Sequence, residues 1–154
     1  MTARTAEQAA AAHLRAATLV VALGGGIGSV LRYALARAIP VHGHGFPVAT
    51  LVTNLAGSLL LGALVVAVTE IWAPHPLLRP LLGTGVLGGF TTFSTFAEQA
   101  RALPAATSMI YVLASVAGGL SAAVAGMELT RLIEPRVRIA SQHEPVDHAD
   151  PELP

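Results

Sequence analysis

The sequence predicts an all-α integral membrane protein with four transmembrane helices, and three observations point there. Of its 154 residues 53% are hydrophobic and only 12% charged, against about 25% charged in ordinary soluble domains. The apolar residues gather into four long runs almost free of charge, and short connections rich in Pro and Gly separate those runs. The same composition excludes several classes of function. There is no Cys, so disulfides, thiolate metal ligands and a Cys nucleophile are absent together. Every basic residue is Arg, which removes Schiff-base and Walker-type lysine chemistry. Zero net charge, without a basic excess, gives no ground for nucleic-acid binding.

Spans are located by charge, because an ionised side chain at the bilayer centre costs roughly 2.5 to 3.5 kcal/mol on insertion scales. The first run covers residues 16–39, with Arg32 as its one deep charge. The second, 48–71, is uncharged before Glu70, and the third, 77–100, has Arg79 and Glu98 near its ends. The fourth, 107–133, is uncharged until Glu128. Each is long enough for a hydrocarbon core of about 30 Å at about 1.5 Å per residue. Short loops at 40–47, 73–76 and Pro104 imply an up-down-up-down order. Residues 16–138 therefore form the membrane subunit, behind an Ala-rich polar leader (1–15) and ahead of an acidic, Pro-rich tail (139–154) expected to be disordered. Ala34-Leu35-Ala36 mimics a signal-peptide cleavage site, but the run is long, Arg32 interrupts it and three more spans follow. Arg4, Arg15, Arg79, Arg131, Arg136 and Arg138 on the terminal side outnumber Arg37 and Arg101, which favours both termini in the cytoplasm.

Several motifs read as packing. Gly83-Thr84-Gly85-Val86-Leu87-Gly88 fits a dinucleotide fingerprint but has no strand–helix–strand context. Gly24-x-x-x-Gly28, Gly25-x-x-x-Ser29 and Gly85-x-x-x-Gly89 suit close helix approach instead. His42-x-His44 lies in a Gly-rich loop without carboxylates and reads as solvated.

Other residues ask for a polar role. Asn54 sits near mid-span, four residues after Thr50 on one helical face with Gly57 next. It suits either interhelical hydrogen bonding or a pore donor and acceptor. Gly88-Gly89-Phe90-Thr91-Thr92-Phe93-Ser94-Thr95-Phe96 is poor material for a continuous helix. A break there frees backbone carbonyls, which a membrane tolerates only where protein, water or an ion satisfies them, so a cation site of main-chain oxygens is expected. Phe93 and Phe96 share one face. Arg32 either snorkels to the interface or meets carbonyls or an anion in a vestibule, while Tyr111 and Ser115, four apart, make a short polar stripe in the fourth span.

Together, Leu31-Arg32-Tyr33, Thr50-x-x-x-Asn54-x-x-Gly57, Thr91-Thr92-Phe93-Ser94-Thr95-Phe96 and the Tyr111/Ser115 span resemble the Fluc (CrcB-type) fluoride channel family over about residues 18–133. The resemblance implies a four-helix subunit with a broken third span, assembling in the plasma membrane as an antiparallel dimer with two fluoride pores and a central structural Na⁺. It implies that Asn54 hydrogen-bonds fluoride, that Phe93 and Phe96 form an aromatic box, and that Thr92, Ser94 and Thr95 make a hydroxyl track with Tyr111 and Ser115; Thr50, on the Asn54 face, is expected to line the same pore. Gly88 and Thr91 carbonyls match the Na⁺ ligands, and Arg32 matches the first-span arginine of the vestibule. Three positions depart from the family pattern: Gly119 for a Ser, Gln99 for a Glu, and Ala49 for a Gly. The expected partners are fluoride, the lipid bilayer and a second subunit, either a copy of this chain or an oppositely biased paralogue. The competing function is a small dimeric transporter, multidrug-type or a fluoride/proton antiporter, which would want a carboxylate deep in the membrane. Glu70, Glu98 and Glu128 all lie near span ends.

Overall fold

The computed structural model describes residues 3–39, 45–71 and 75–133. The expected tail at 139–154 and the His42/His44 pair lie outside the described residues. Helix α1 (Ala3–Ala38) is uninterrupted, and α2 (Val48–Val66) continues into a π-helical turn at Ala67–Ile71. Pro80–Leu87 is π-helical and runs into α3 (Gly88–Phe90); α4 (Phe93–Ala102) and α5 (Ala105–Ile133) complete the chain. Among the described residues there is no strand. Stretches Ala10–Ala38, Val48–Ile71 and Ala105–Ile133 are long and apolar enough to cross a membrane. From Ala3 onward the Ala-rich leader is helical and continuous with the first span, as suits the best helix-forming residue.

The molecule carries its apolar residues outside. Leu19, Leu23 and Val30 on α1, and Leu113, Val116 and Leu120 on α5, are each at least 60% exposed. Thr50 and Thr53, by contrast, are buried. A surface of large aliphatic side chains around a small, partly polar interior is what lipid as solvent selects. Buried Thr53 meets the demand for an internal partner by donating to the Ala49 carbonyl one turn back, at 2.8 Å.

Two parallel helix pairs make up the body: α1 lies along residues 80–90, and α2 lies along α5. One register serves both. Glu70 and Arg131 are 61 residues apart, and so are Gly24 and Gly85, Gly28 and Gly89, and Gly62 and Ala123, which meet across the seams. A Cβ on Gly28 would fall on the Val86 carbonyl oxygen, and one on Gly62 on that of Ala123. Backbone cannot yield as a flexible side chain does, so hydrogen is the only side chain that permits these approaches. Between the pairs, α2 runs antiparallel to the broken segment, with Leu64 facing Gly83, Gly57 facing Thr91 and Asn54 facing Thr92.

Candidate functional site

The helical path stops at Phe90. Thr91 (φ −75°, ψ 160°) and Thr92 (φ −147°, ψ 122°) are extended, and α4 starts afresh at Phe93. Local chemistry favours this. Two glycines weaken the preceding turn, and adjacent β-branched threonines suit extended backbone. Thr92 then caps α4, its Oγ1 accepting from the Thr95 N–H at 3.2 Å. Thr91 stays tied to the turn behind it, with both N–H and hydroxyl donating to the Leu87 carbonyl at 3.0 Å.

Asn54 satisfies the backbone that the break exposes. The Thr92 N–H donates to Asn54 Oδ1 at 2.9 Å, and Asn54 Nδ2 donates to the Thr92 carbonyl at 3.0 Å. The side-chain amide thus serves Thr92 as a neighbouring strand would. Gly57 makes the seat, since a Cβ there would fall on the Thr91 methyl. One Nδ2 hydrogen of Asn54 remains unspent.

The clasp also decides which carbonyls are left open. In a helix Gly88 would receive the Thr92 N–H, which has turned to Asn54, and Thr91 would receive the Thr95 N–H, which has turned to Thr92 Oγ1. Their oxygens are therefore free of their helical donors. The Gly89 carbonyl, freed likewise, accepts from Arg32 Nε at 3.3 Å. Arg32 thus meets a carbonyl, one of the two alternatives to snorkelling.

Around the clasp the remaining candidates gather. Thr92 Oγ1 donates to Thr95 Oγ1 at 3.1 Å and lies 3.3 Å from Ser94 Oγ. The rings of Phe93 and Phe96 are 5.8 Å apart, Phe96 and Tyr111 5.3 Å, and Tyr111 and Phe46 5.5 Å. Tyr111 is fully buried, and its hydroxyl donates to Gln99 Oε1 at 3.2 Å, with Thr50 approaching the same hydroxyl. Phe93, 80% exposed, presents its ring outward. Ser115 does not join the hydroxyl cluster; its Oγ is buried with no hydrogen-bond partner among the described residues. A cavity of about 230 Å³ holds Arg32, Thr50, Thr53 and Thr95 on its walls, and another of about 320 Å³ holds Asn54, Ser58, Gly88, Thr91 and Phe93. Thr92 lines both.

Sequence reasoning passed over three contributors. Gln99 stood out only as a departure, whereas it is the acceptor for Tyr111. Phe46 joins the ring stack from the far side of a loop, with nothing local to announce it. Ser58, four residues beyond Asn54, faces the larger cavity, and the Thr50–Asn54–Ser58 spacing was the available signal.

Arg131 donates to Glu70 and Glu128 at the far end of α2 and α5, and Glu98 is exposed on α4. No carboxylate lines either cavity beside the clasp.

Residues 19–127 match the family described as CrcB-like protein, Camphor Resistance (CrcB). "Fluoride-specific ion channel FluC 2" of Nocardia farcinica is 44% identical over 111 residues, 72% of this chain and 79% of that protein. "Fluoride-specific ion channel FluC 2" of Streptomyces avermitilis is 46% identical over 101 residues, 63% of this chain and 64% of that protein. The Chlorobaculum tepidum "Fluoride-specific ion channel FluC" is 42% identical over 118 residues, 74% of this chain and 94% of its own length. The match takes in the seams, the clasp and the ring stack alike, so this multi-pass membrane protein belongs to the CrcB-like (camphor resistance) family.

Proposed function

We propose that this chain is the subunit of a fluoride-selective channel that passively exports fluoride across the plasma membrane and so relieves fluoride toxicity. The carrying observation is the Asn54–Thr92 clasp, which sets a break with two open carbonyls beside the Phe93–Phe96 rings, between two cavities free of carboxylates. Related proteins at 42 to 46% identity named fluoride-specific ion channels support the same ion.

Residues 80–102 make the third of four crossings in this reading, interrupted at Thr91 and Thr92. An anion passing the clasp meets neutral donors: the spare Nδ2 hydrogen of Asn54, hydroxyls, and the positive edges of Phe93 and Phe96. Such groups receive a small anion without holding it so tightly that it cannot leave. Arg32, on the wall of the smaller cavity, draws anions toward it. Fluoride needs no energy source to leave, because hydrogen fluoride enters neutral and ionises inside.

Phe93 presents its ring outward beside the hydroxyls of Thr92 and Ser94, and in this reading an antiparallel second subunit covers it. That subunit is a copy of this chain or a paralogue. The Gly88 and Thr91 carbonyls, deprived of their helical donors, fit a Na⁺ shared by two such subunits, where the ion would supply a fixed positive charge. The donor set is hard oxygen, as an alkali cation requires.

Fluoride and chloride efflux from liposomes loaded with the purified chain tests the function: fluoride release without chloride release is expected, and release of neither overturns it. Asn54→Asp should stop fluoride, since a carboxylate repels the anion and lacks the amide donor. An Asp variant that conducts would remove Asn54 from the pore.

A further inference from the structure

Taking the fluoride pathway above as its basis, we infer that Ser58 is an additional anion-binding hydroxyl of that pathway, standing in for the side chain that Gly119 lacks. Of the hydroxyls on the larger cavity, that of Thr91 donates to the Leu87 carbonyl and that of Thr92 to Thr95 Oγ1. The Ser58 hydroxyl makes no hydrogen bond among the described residues. It is the hydroxyl on that wall with its proton unspent, beside the one spare hydrogen of the Asn54 amide.

The register of α2 against α5 points to the same hydroxyl. The 61-residue offset that pairs Glu70 with Arg131 and Gly62 with Ala123 also sets Thr50 level with Tyr111, Asn54 with Ser115 and Ser58 with Gly119. Two rungs of this ladder carry a polar side chain on each helix, and Ser115 Oγ is buried there with no partner among the described residues. At the third rung α5 offers only hydrogen, and a Cβ placed on Gly119 would lie 3.4 Å from Ser58 Oγ, an ordinary contact. The space beside Ser58 therefore accepts a second serine without moving backbone. A dehydrated anion passing the Asn54 rung finds its next proton donor on α2, whereas a Ser at 119 would offer it from α5.

Fluoride efflux from liposomes tests this with Ser58→Ala, Gly119→Ser and the double variant, each checked for retained assembly by gel filtration. Ser58→Ala should slow fluoride release about five-fold, the rate equivalent of one hydrogen bond. Gly119→Ser should conduct at or above the wild-type rate, and Ser58→Ala with Gly119→Ser should return to it. Wild-type rates in Ser58→Ala, or a loss that Gly119→Ser does not repair, would overturn the role of Ser58 alone. A wild-type chain that releases no fluoride would instead overturn the channel reading beneath it.

Discussion

Helix α2 and the π-helical turn that extends it carry two polar clusters held by opposite means. Near the middle, a neutral amide clasps the Thr92 backbone with bonds of 2.9 and 3.0 Å. At the far end, Arg131 reaches Glu70 at 2.6 Å and Glu128 at 2.7 Å, with all three side chains exposed. The shorter, charged contacts look stronger, but the longer, neutral ones matter more. Exposed ion pairs exchange hydration for attraction almost evenly, whereas losing the clasp strands a half-buried N–H and C=O at a break in the helix. Surroundings, rather than charge or distance, rank the two.

The ranking breaks if Asn54→Leu is tolerated. Two backbone groups would lose their partners at about 1 to 3 kcal/mol each, so the detergent-solubilised protein should melt markedly lower and conduct no fluoride. Gly57→Val comes next: its branched side chain would displace Thr91, and overpacking of this kind costs about 1 to 3 kcal/mol. The two Phe variants sharpen the contrast within the cluster. Phe96→Ile removes ring contacts on both sides, each worth about 0.5 to 1.5 kcal/mol, and should lower both the melting point and fluoride flux. Phe93→Ile should lower flux with less loss of stability, because its ring is mostly outside the subunit. Arg131→Gln should leave the melting temperature unchanged within error at physiological salt, and a large drop there would reverse the comparison.

Much of this was legible from residue order. Charge-free runs located the apolar helices because lipid penalises charge steeply, and Gly24, Gly28, Gly85 and Gly89 announced a close seam that the structure brings together. The unhelical composition of residues 88–96 pointed to where the helical path is interrupted. What periodicity could not give was partnership. It placed Asn54 on a face with Thr50 but left glue and pore function as alternatives, because the group it holds is 38 residues away and is main chain, which has no sequence signature. The Tyr111–Gln99 bond and the Phe46 ring contact were hidden for the same reason. Nor does composition reveal that leader and first span form one helix, since Ala is at home in either.

The clasp also leaves a mark on how fast backbone protons are traded with solvent. An interruption between two helices would ordinarily be read as a hinge, with amides that exchange quickly. Here the Thr92 amide is held by Asn54 Oδ1 and the Thr95 amide by Thr92 Oγ1, while those of Phe93 and Ser94 open the first turn of α4, which has no helical acceptor for them. Hydrogen–deuterium exchange should therefore run slow, fast, fast, slow from Thr92 to Thr95, the trace of a joint welded to α2 rather than one that swings.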